Sequence, residues 1–184
     1  MNTNLSILRE IKLRNGQQLV LRKPTIEDAE RIIKYANTVG GESDNLLFGK
    51  NEFHLTLEQE VEFIKKISVD DNMLMIVGII NDEIVSLSHI GSSNRKRIAH
   101  NSEISISVKK EYWRNGIATV VMEELIKFAN QHSIIKNVSL AVKASNSNAI
   151  ALYEKFGFEK VGMHKNYFNV NGIFDDEILM DLYL

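Results

Sequence analysis

Residues 105–122 read SISVKKEYWRNGIATVVM, and the change of periodicity inside them decides the fold. Upstream, Ile104, Ile106 and Val108 alternate with Glu103, Ser105 and Ser107, the two-residue period of a strand with one apolar and one polar face. Downstream, Ala118, Val121, Met122, Leu125 and Ala129 recur at helical spacing across 116–132. Gly116 stands at the join. A strand that passes through a glycine turn directly into a helix leaves the first helical N–H groups free at the positive end of the dipole, where a diphosphate can be held. Glycine at such a turn also serves purely structural needs, so the junction alone specifies no ligand.

Outward from this junction the elements fall into order. Residues 7–13 and 18–22 alternate around Asn15-Gly16, a dipeptide that tolerates the positive φ of a two-residue hairpin. Thr25 with Asp28 and Thr56 with Gln59 are capping patterns. Each opens a helix, the first carrying Ala29, Ile32, Ile33 and Ala36 on one face, the second Leu57, Val61 and Ile64. Residues 39–53, with Gly40, Gly41 and Gly49, read as a long loop. A hairpin at 73–80 and 83–90 flanks Asn81-Asp82, and a strand at 100–109 comes next. Beyond the 116–132 helix come a short strand at 138–142, a helix bearing Ala149, Leu152, Tyr153 and Phe156 that stops at Gly157, and two strands around Asn171-Gly172. This order predicts an α+β domain, one mixed sheet covered by helices, spanning 1–184 with 1–17 as an N-terminal hairpin strand.

Composition narrows the chemistry. The 184 residues are 44% hydrophobic and 25% charged, with a net charge of -2, so a core is expected and a general nucleic-acid partner is not. With no cysteine there is no thiolate nucleophile, disulfide or thiolate metal site. The longest apolar run, 73–80, falls far short of the ~20 residues that span a bilayer, and no secretory signal is visible in 5–13. No membrane partner and a cytoplasmic location are therefore expected. His54, His89, His100, His132 and His164 are dispersed and read as isolated surface residues, so no metal site is expected. Arg95, Lys96 and Arg97 read as a solvated loop.

Toward the C-terminus, Asn146, Ala149, Leu152, Tyr153, Gly157 and Phe158 spell N-x-x-A-x-x-L-Y-x-x-x-G-F across a helix and into a strand. With this segment and the glycine turn together, the chain resembles the GNAT superfamily of N-acetyltransferases, in element order from 18 to 184. The resemblance implies a GNAT-type mixed, mostly antiparallel sheet flanked by helices, and acetyl-CoA as the acetyl donor, with CoA as product. The family's turn reads Q/R-x-x-G-x-G/A; Gly116 and Ala118 match, Trp113 stands at the first position, and Arg114 lies one place late.

The same resemblance implies a thioester lying between the strand ending at Val108 and the strand beginning at Val138, polarised by main-chain N–H groups near Ser107 and Val108. It also implies cofactor binding by Ile106, Ser107, Val108, Arg114, Asn115, Gly116, Ile117, Ala118, Thr119 and Asn146. Asn146 reads equally as a helix N-cap and as a partner of the pantetheine arm. By resemblance Tyr153 matches the position that protonates the departing thiolate, and as an apolar-face aromatic it also reads as core. An amine of pKa near ~10.4 is neutral in only about 1 in 2,500 molecules at pH 7, which makes a proton acceptor useful. Glu103, on the polar strand face, resembles the glutamate base of many relatives and reads equally as a solvated glutamate; His100 is the second candidate. Glu42 and Asp44, and Asp175, Asp176 and Glu177, would favour a cationic acceptor if they border the mouth, and otherwise read as solubilising loop charge. The expected partner is a primary amine, either a small molecule or a peptide N-terminus, with homodimerisation through an edge strand or the final hairpin open. The alternative is an acyl-CoA-sensing or protein-interaction module without efficient turnover.

Overall fold

The computed structural model describes residues 6–184, so the start of the expected N-terminal strand, residues 1–5, lies outside the described residues. Strand β1 (Ile7–Lys12) and β2 (Gln18–Arg22) form the first hairpin, with Gly16 at φ +86° in the turn. A 3-10 turn (Ile26–Asp28) leads into α1 (Ala29–Gly40), and after the loop comes α2 (Leu57–Val69). Thr56 Oγ1 accepts from Gln59 N–H at 3.3 Å while Gln59 Oε1 accepts from Thr56 N–H at 2.9 Å, the reciprocal cap that the sequence announces. Then come β3 (Met73–Ile80), β4 (Glu83–Ser92), β5 (Asn101–Val108), α3 (Ile117–Gln131), β6 (Asn137–Lys143), α4 (Ser147–Lys155), β7 (Glu159–Val170) and β8 (Ile173–Tyr183).

All eight strands join one sheet in the order β1-β2-β3-β4-β5-β6-β8-β7, antiparallel except for β5 and β6. Period-two alternation gives it two faces. On one face Ile104, Val138, Leu140, Val142 and Met180 share a buried cluster with Ile117, Val121, Met122 and Leu125 of α3, which are fully enclosed. On the opposite face Val77, Met75 and Ile84 meet Ile32, Tyr35 and Ile64 of α1 and α2. Those two helices pack over β3 and β4, and the far half of that face, from β5 to β7, carries no helix. No described helix is long and apolar enough to cross a membrane. Strand β7 is the sheet's outer edge and leaves Val161, Met163 and Tyr167 exposed.

One buried ion pair ties the first hairpin to α1. Arg22, the last residue of β2, grips Asp28 with two bonds, Nη1 to Oδ2 at 2.6 Å and Nη2 to Oδ1 at 2.8 Å. Both side chains are almost wholly enclosed. Thr25 N–H also donates to Asp28, at 2.9 Å, and Arg31 Nη1 reaches it at 3.2 Å. Burial alone would raise the Asp28 carboxyl, yet the hydrogen bonds from Arg22 and Thr25 and the charges of Arg22 and Arg31 outweigh it and hold it below the usual aspartate value. Removing one partner strands the other charge, so Asp28→Asn is expected to cost about 3 kcal/mol in denaturant unfolding. Because the folded value is depressed, the wild-type contribution is complete above the unfolded pKa of ~3.9 and fades as pH falls through the folded value. The stability difference between wild type and Asp28→Asn should therefore shrink on acidification and stay constant from pH 6 to 8.

Candidate active site

Strands β5 and β6 pair only through Asn101↔Asn137, Ser102↔Val138 and Glu103↔Ser139. Each then keeps its outer neighbour, β4 following β5 to Val108 and β8 following β6 to Lys143, so the inner edges part and a wedge opens between them. The wedge widens into a cleft of about 660 Å³. Lys109 N–H donates to the Val85 carbonyl at 2.9 Å, which sets the phase of the antiparallel ladder. Ser105 and Ser107 thus turn their main-chain groups toward β4, and Ile106 and Val108 turn theirs into the wedge. Of the donors expected near Ser107 and Val108, the ladder turns Val108, together with Ile106, into the wedge, and turns Ser107 toward β4. Ser107 contributes its side chain instead, its Oγ donating to the Leu87 carbonyl at 3.3 Å and lying 3.1 Å from the Tyr35 hydroxyl of α1. Burial, together with the negative charge of Glu42, pushes Tyr35 far above the ordinary phenol value despite that Ser107 bond, so it stays protonated and donates to Ser107.

The strand does not run directly into the helix, contrary to what the change of periodicity suggests. A 3-10 turn (Lys110–Tyr112) intervenes, and the chain then passes through Arg114 at φ +63° and Gly116 at φ +87°. Gly116 is the N-cap of α3; no side chain caps this helix and no acid occupies its first turn. The first backbone return is Val120 N–H to the Gly116 carbonyl, leaving the earlier N–H groups free. Arg114, Gly116, Ile117, Ala118 and Thr119 form this wall of the cleft, and Asn115 is not on it. The departure at Trp113 has a physical account: its indole Nε1 donates to the Val108 carbonyl at 2.7 Å, closing off the one main-chain acceptor at the end of β5.

The second segment supplies the facing wall. Asn146 caps α4, its Oδ1 accepting from Ala149 N–H at 3.3 Å, and it also lines the cleft. Tyr153, one face of its helix inward, packs with its ring 6.0 Å from that of Phe158. Its hydroxyl has no partner among the described residues, and burial pushes its pKa up to about 12. It is a protonated phenol in the cleft wall.

The polar face of the sheet lies across the wedge. Glu103 of β5 and Glu177 of β8 both line the cleft, and Glu42, Leu46, Leu47 and Phe48 of the long loop roof it, as Phe168 does from β7. His100 lies outside the cleft wall, its carbonyl accepting from Lys136 and Asn137 N–H. The structure corrects two expectations. Asp175, Asp176 and Glu177 are not loop charges but part of β8, where Glu177 is only 5% exposed. Nor are all the histidines isolated at the surface: His89 has a buried, unpartnered Nε2 and burial lowers its pKa, and His164, although exposed, has its Nδ1 2.9 Å from Glu177 Oε2. Strand alternation is the signal available for both, since Leu87 with His89, and Glu177 with Leu179, each fall on the polar-side face. Among the described residues no cluster has the composition of a metal site.

The acetyltransferase (GNAT) family model matches residues 44–158. An N-alpha-acetyltransferase of Saccharolobus solfataricus is 32% identical over 157 residues, covering 83% of this chain and 87% of that protein. The L-amino acid N-acetyltransferase AaaT of Escherichia coli is 30% identical across 57% of this chain and 65% of its own length. Among solved structures, an acetyltransferase of GNAT family from Streptococcus pneumoniae superposes with TM-score 0.87 at 29% identity, covering 90% of this chain and 99% of that one. The fold alone is shared with yncA of Salmonella typhimurium, solved with acetyl-CoA, at TM-score 0.77 and 14% identity over 90% of this chain and 94% of that one.

The uncapped start of α3 makes a direct prediction. At 100-fold excess over its dissociation constant, acetyl-CoA should add ~2.7 kcal/mol of stability, read as a rise of roughly 5–10 °C in Tm. Gly116→Asp places a carboxylate beside the free N–H groups at the start of α3, and if these hold the diphosphate the rise should vanish in a folded variant. An undiminished rise would remove the turn as the binding site.

Proposed function

Because the chain belongs to the acetyltransferase (GNAT) family, we propose that it moves the acetyl group of acetyl-CoA to a primary amine by direct attack inside the wedge. The observation that carries this reading is the parting of β5 from β6, which turns the main chain of Ile106 and Val108 toward the same cleft that holds the Tyr153 hydroxyl. In this reading the diphosphate sits on the free N–H groups from Gly116 to Thr119, beside Arg114, and the pantetheine arm lies in the wedge as a short extra strand. Asn146 keeps its cap and offers its amide nitrogen to that arm. The Val108 N–H polarises the thioester carbonyl; one such donor is commonly worth ~3 kcal/mol of barrier.

The chemistry then closes on groups of this chain. The neutral amine attacks the carbonyl carbon, the C–N bond forms and the C–S bond breaks. Tyr153 gives its proton to the sulfur as the thiolate leaves, and its high pKa keeps that proton available across the neutral range. Glu103, directly or through water, takes the proton that the ammonium must lose before attack, and the second proton, shed by nitrogen as the amide forms, returns through water to the Tyr153 phenolate. With no cysteine in the sequence there is no thiolate to carry the acetyl group between donor and acceptor, which favours transfer within one ternary complex. The charge that the roof and the polar face present is mainly carboxylate, which suits an acceptor arriving as a cation.

Thiol release from acetyl-CoA across a panel of amines and peptides tests the reading, and binding without release to any of them would favour an acyl-CoA sensor. Two variants test the roles. Tyr153→Phe preserves the ring, so acetyl-CoA affinity and Tm should hold while kcat falls ~10²–10⁴-fold under conditions where chemistry limits the rate. Glu103→Gln should lose most activity near neutrality and recover part of it at high pH, where more of the amine arrives neutral. A loss independent of pH would make Glu103 a positioning group.

A further inference from the structure

We propose that Glu177 is the seat on which the acceptor's ammonium is received, and that it selects amines lacking an adjacent carboxylate, such as peptide N-termini, over free amino acids. The inference rests on the acetyltransferase reading above and goes beyond it by assigning the acceptor site. Register places the seat. Strand β6 pairs with β5 at a constant offset, Glu103 opposite Ser139, and carrying that offset along the wedge sets Lys143 opposite Ser107. Lys143 in turn pairs with Glu177 on β8. Glu177 therefore faces the β5 donors from the far side of the opening, on the half of that sheet face that carries no helix among the described residues.

The side chain is built for a cation. Glu177 is 5% exposed, and its Oε2 is held by His164 Nδ1 at 2.9 Å. Its other oxygen has no hydrogen-bond partner among the described residues and is not sealed from solvent, and Glu177 lines the cleft. A carboxylate withdrawn from water with half its acceptor capacity unused attracts a cationic donor strongly.

The balance of charge sets the selectivity. Glu42, Glu103 and Glu177 line the cleft against Arg114 and Lys143. Arg114 belongs to the diphosphate turn. The Lys143 ammonium lies 3.8 Å from Asp175 and 5.9 Å from the centre of the Phe168 ring, so its charge is already engaged. A free amino acid would bring its carboxylate among these glutamates, whereas an amide or a peptide N-terminus has none beside the amine.

The test is steady-state kinetics on the full chain with matched acceptors: L-alanine, L-alaninamide and a short alanine-started peptide. Wild type should favour alaninamide and the peptide over alanine by more than tenfold in kcat/KM. Glu177→Gln keeps the shape and the bond to His164. It should raise KM for alaninamide about 10–100-fold, as expected for one charge-assisted bond. With kcat within about threefold and the acetyl-CoA melting shift intact, the loss is one of ground-state binding. The preference over alanine should narrow in the same variant, a change that a merely structural glutamate would not produce. A Glu177→Gln KM within twofold of wild type, or a wild type indifferent to the carboxylate, overturns the seat while leaving the acetyltransferase reading in place. A wild type that binds acetyl-CoA and acetylates no amine overturns both. The wild-type comparison stands even if the variant fails to fold.

Discussion

An interrupted ladder governs this molecule. Two neighbouring strands of one sheet share three residue pairs and then separate, and every main-chain group on the parted edges must find another partner or remain open to water. At the end of β5 the problem is solved twice, by the Trp113 indole on the Val108 carbonyl and by leaving the Val108 N–H facing the cleft. A sheet that closed completely would be more self-sufficient and would have nowhere to hold an extended ligand. The parting converts the most repetitive interaction in the fold, the backbone hydrogen bond, into a recognition element.

Stability is arranged around that gap. One buried cluster joins Ile117 to Ala129 of α3, which lies over β3, β4 and β5, with Ile104 of β5 and with Val138, Leu140 and Val142 of β6, so apolar residues gather on one side of the wedge. The second cluster, under α1 and α2, lies over β3 and β4 and stops short of it. One face of the opening is thus closed by apolar packing and the other is left to polar side chains and the long loop. That asymmetry gives donor and acceptor separate approaches. The Tyr35 hydroxyl, donating to Ser107, marks where the helix-covered half of the polar face ends.

Much of this architecture is legible in the sequence. The helices show themselves by apolar spacing, as in Val121, Met122 and Leu125, and by reciprocal caps such as Thr56 with Gln59. The hairpins show themselves by Asn-Gly and Asn-Asp turns, because those signals are local. The cleft walls at Gly116 and Tyr153 are indicated by a resemblance in two segments. The hidden features depend on partners distant along the chain. Nothing in residues 101–108 says where pairing with 137–143 will stop, and the role of Trp113 depends on which carbonyl the ladder leaves free. Glu177 is obscured by its neighbours: Asp175 and Asp176 beside it make a run of acids look like solvated loop, although Ile178, Met180 and Leu182 keep strand alternation through it. His89 shows the same difficulty, since only the packing of α2 over β4, with Phe63 at 6.4 Å, removes it from the surface.

Trp113 is the sole tryptophan in the chain, it is 42% exposed, and its indole is bonded to the strand end where the wedge opens. Indole emission responds to the polarity and hydrogen bonding of its surroundings, and no second tryptophan dilutes the signal. The protein therefore carries its own candidate optical reporter at the mouth of the cleft, one whose intensity and wavelength should respond to the filling of the wedge without any attached label.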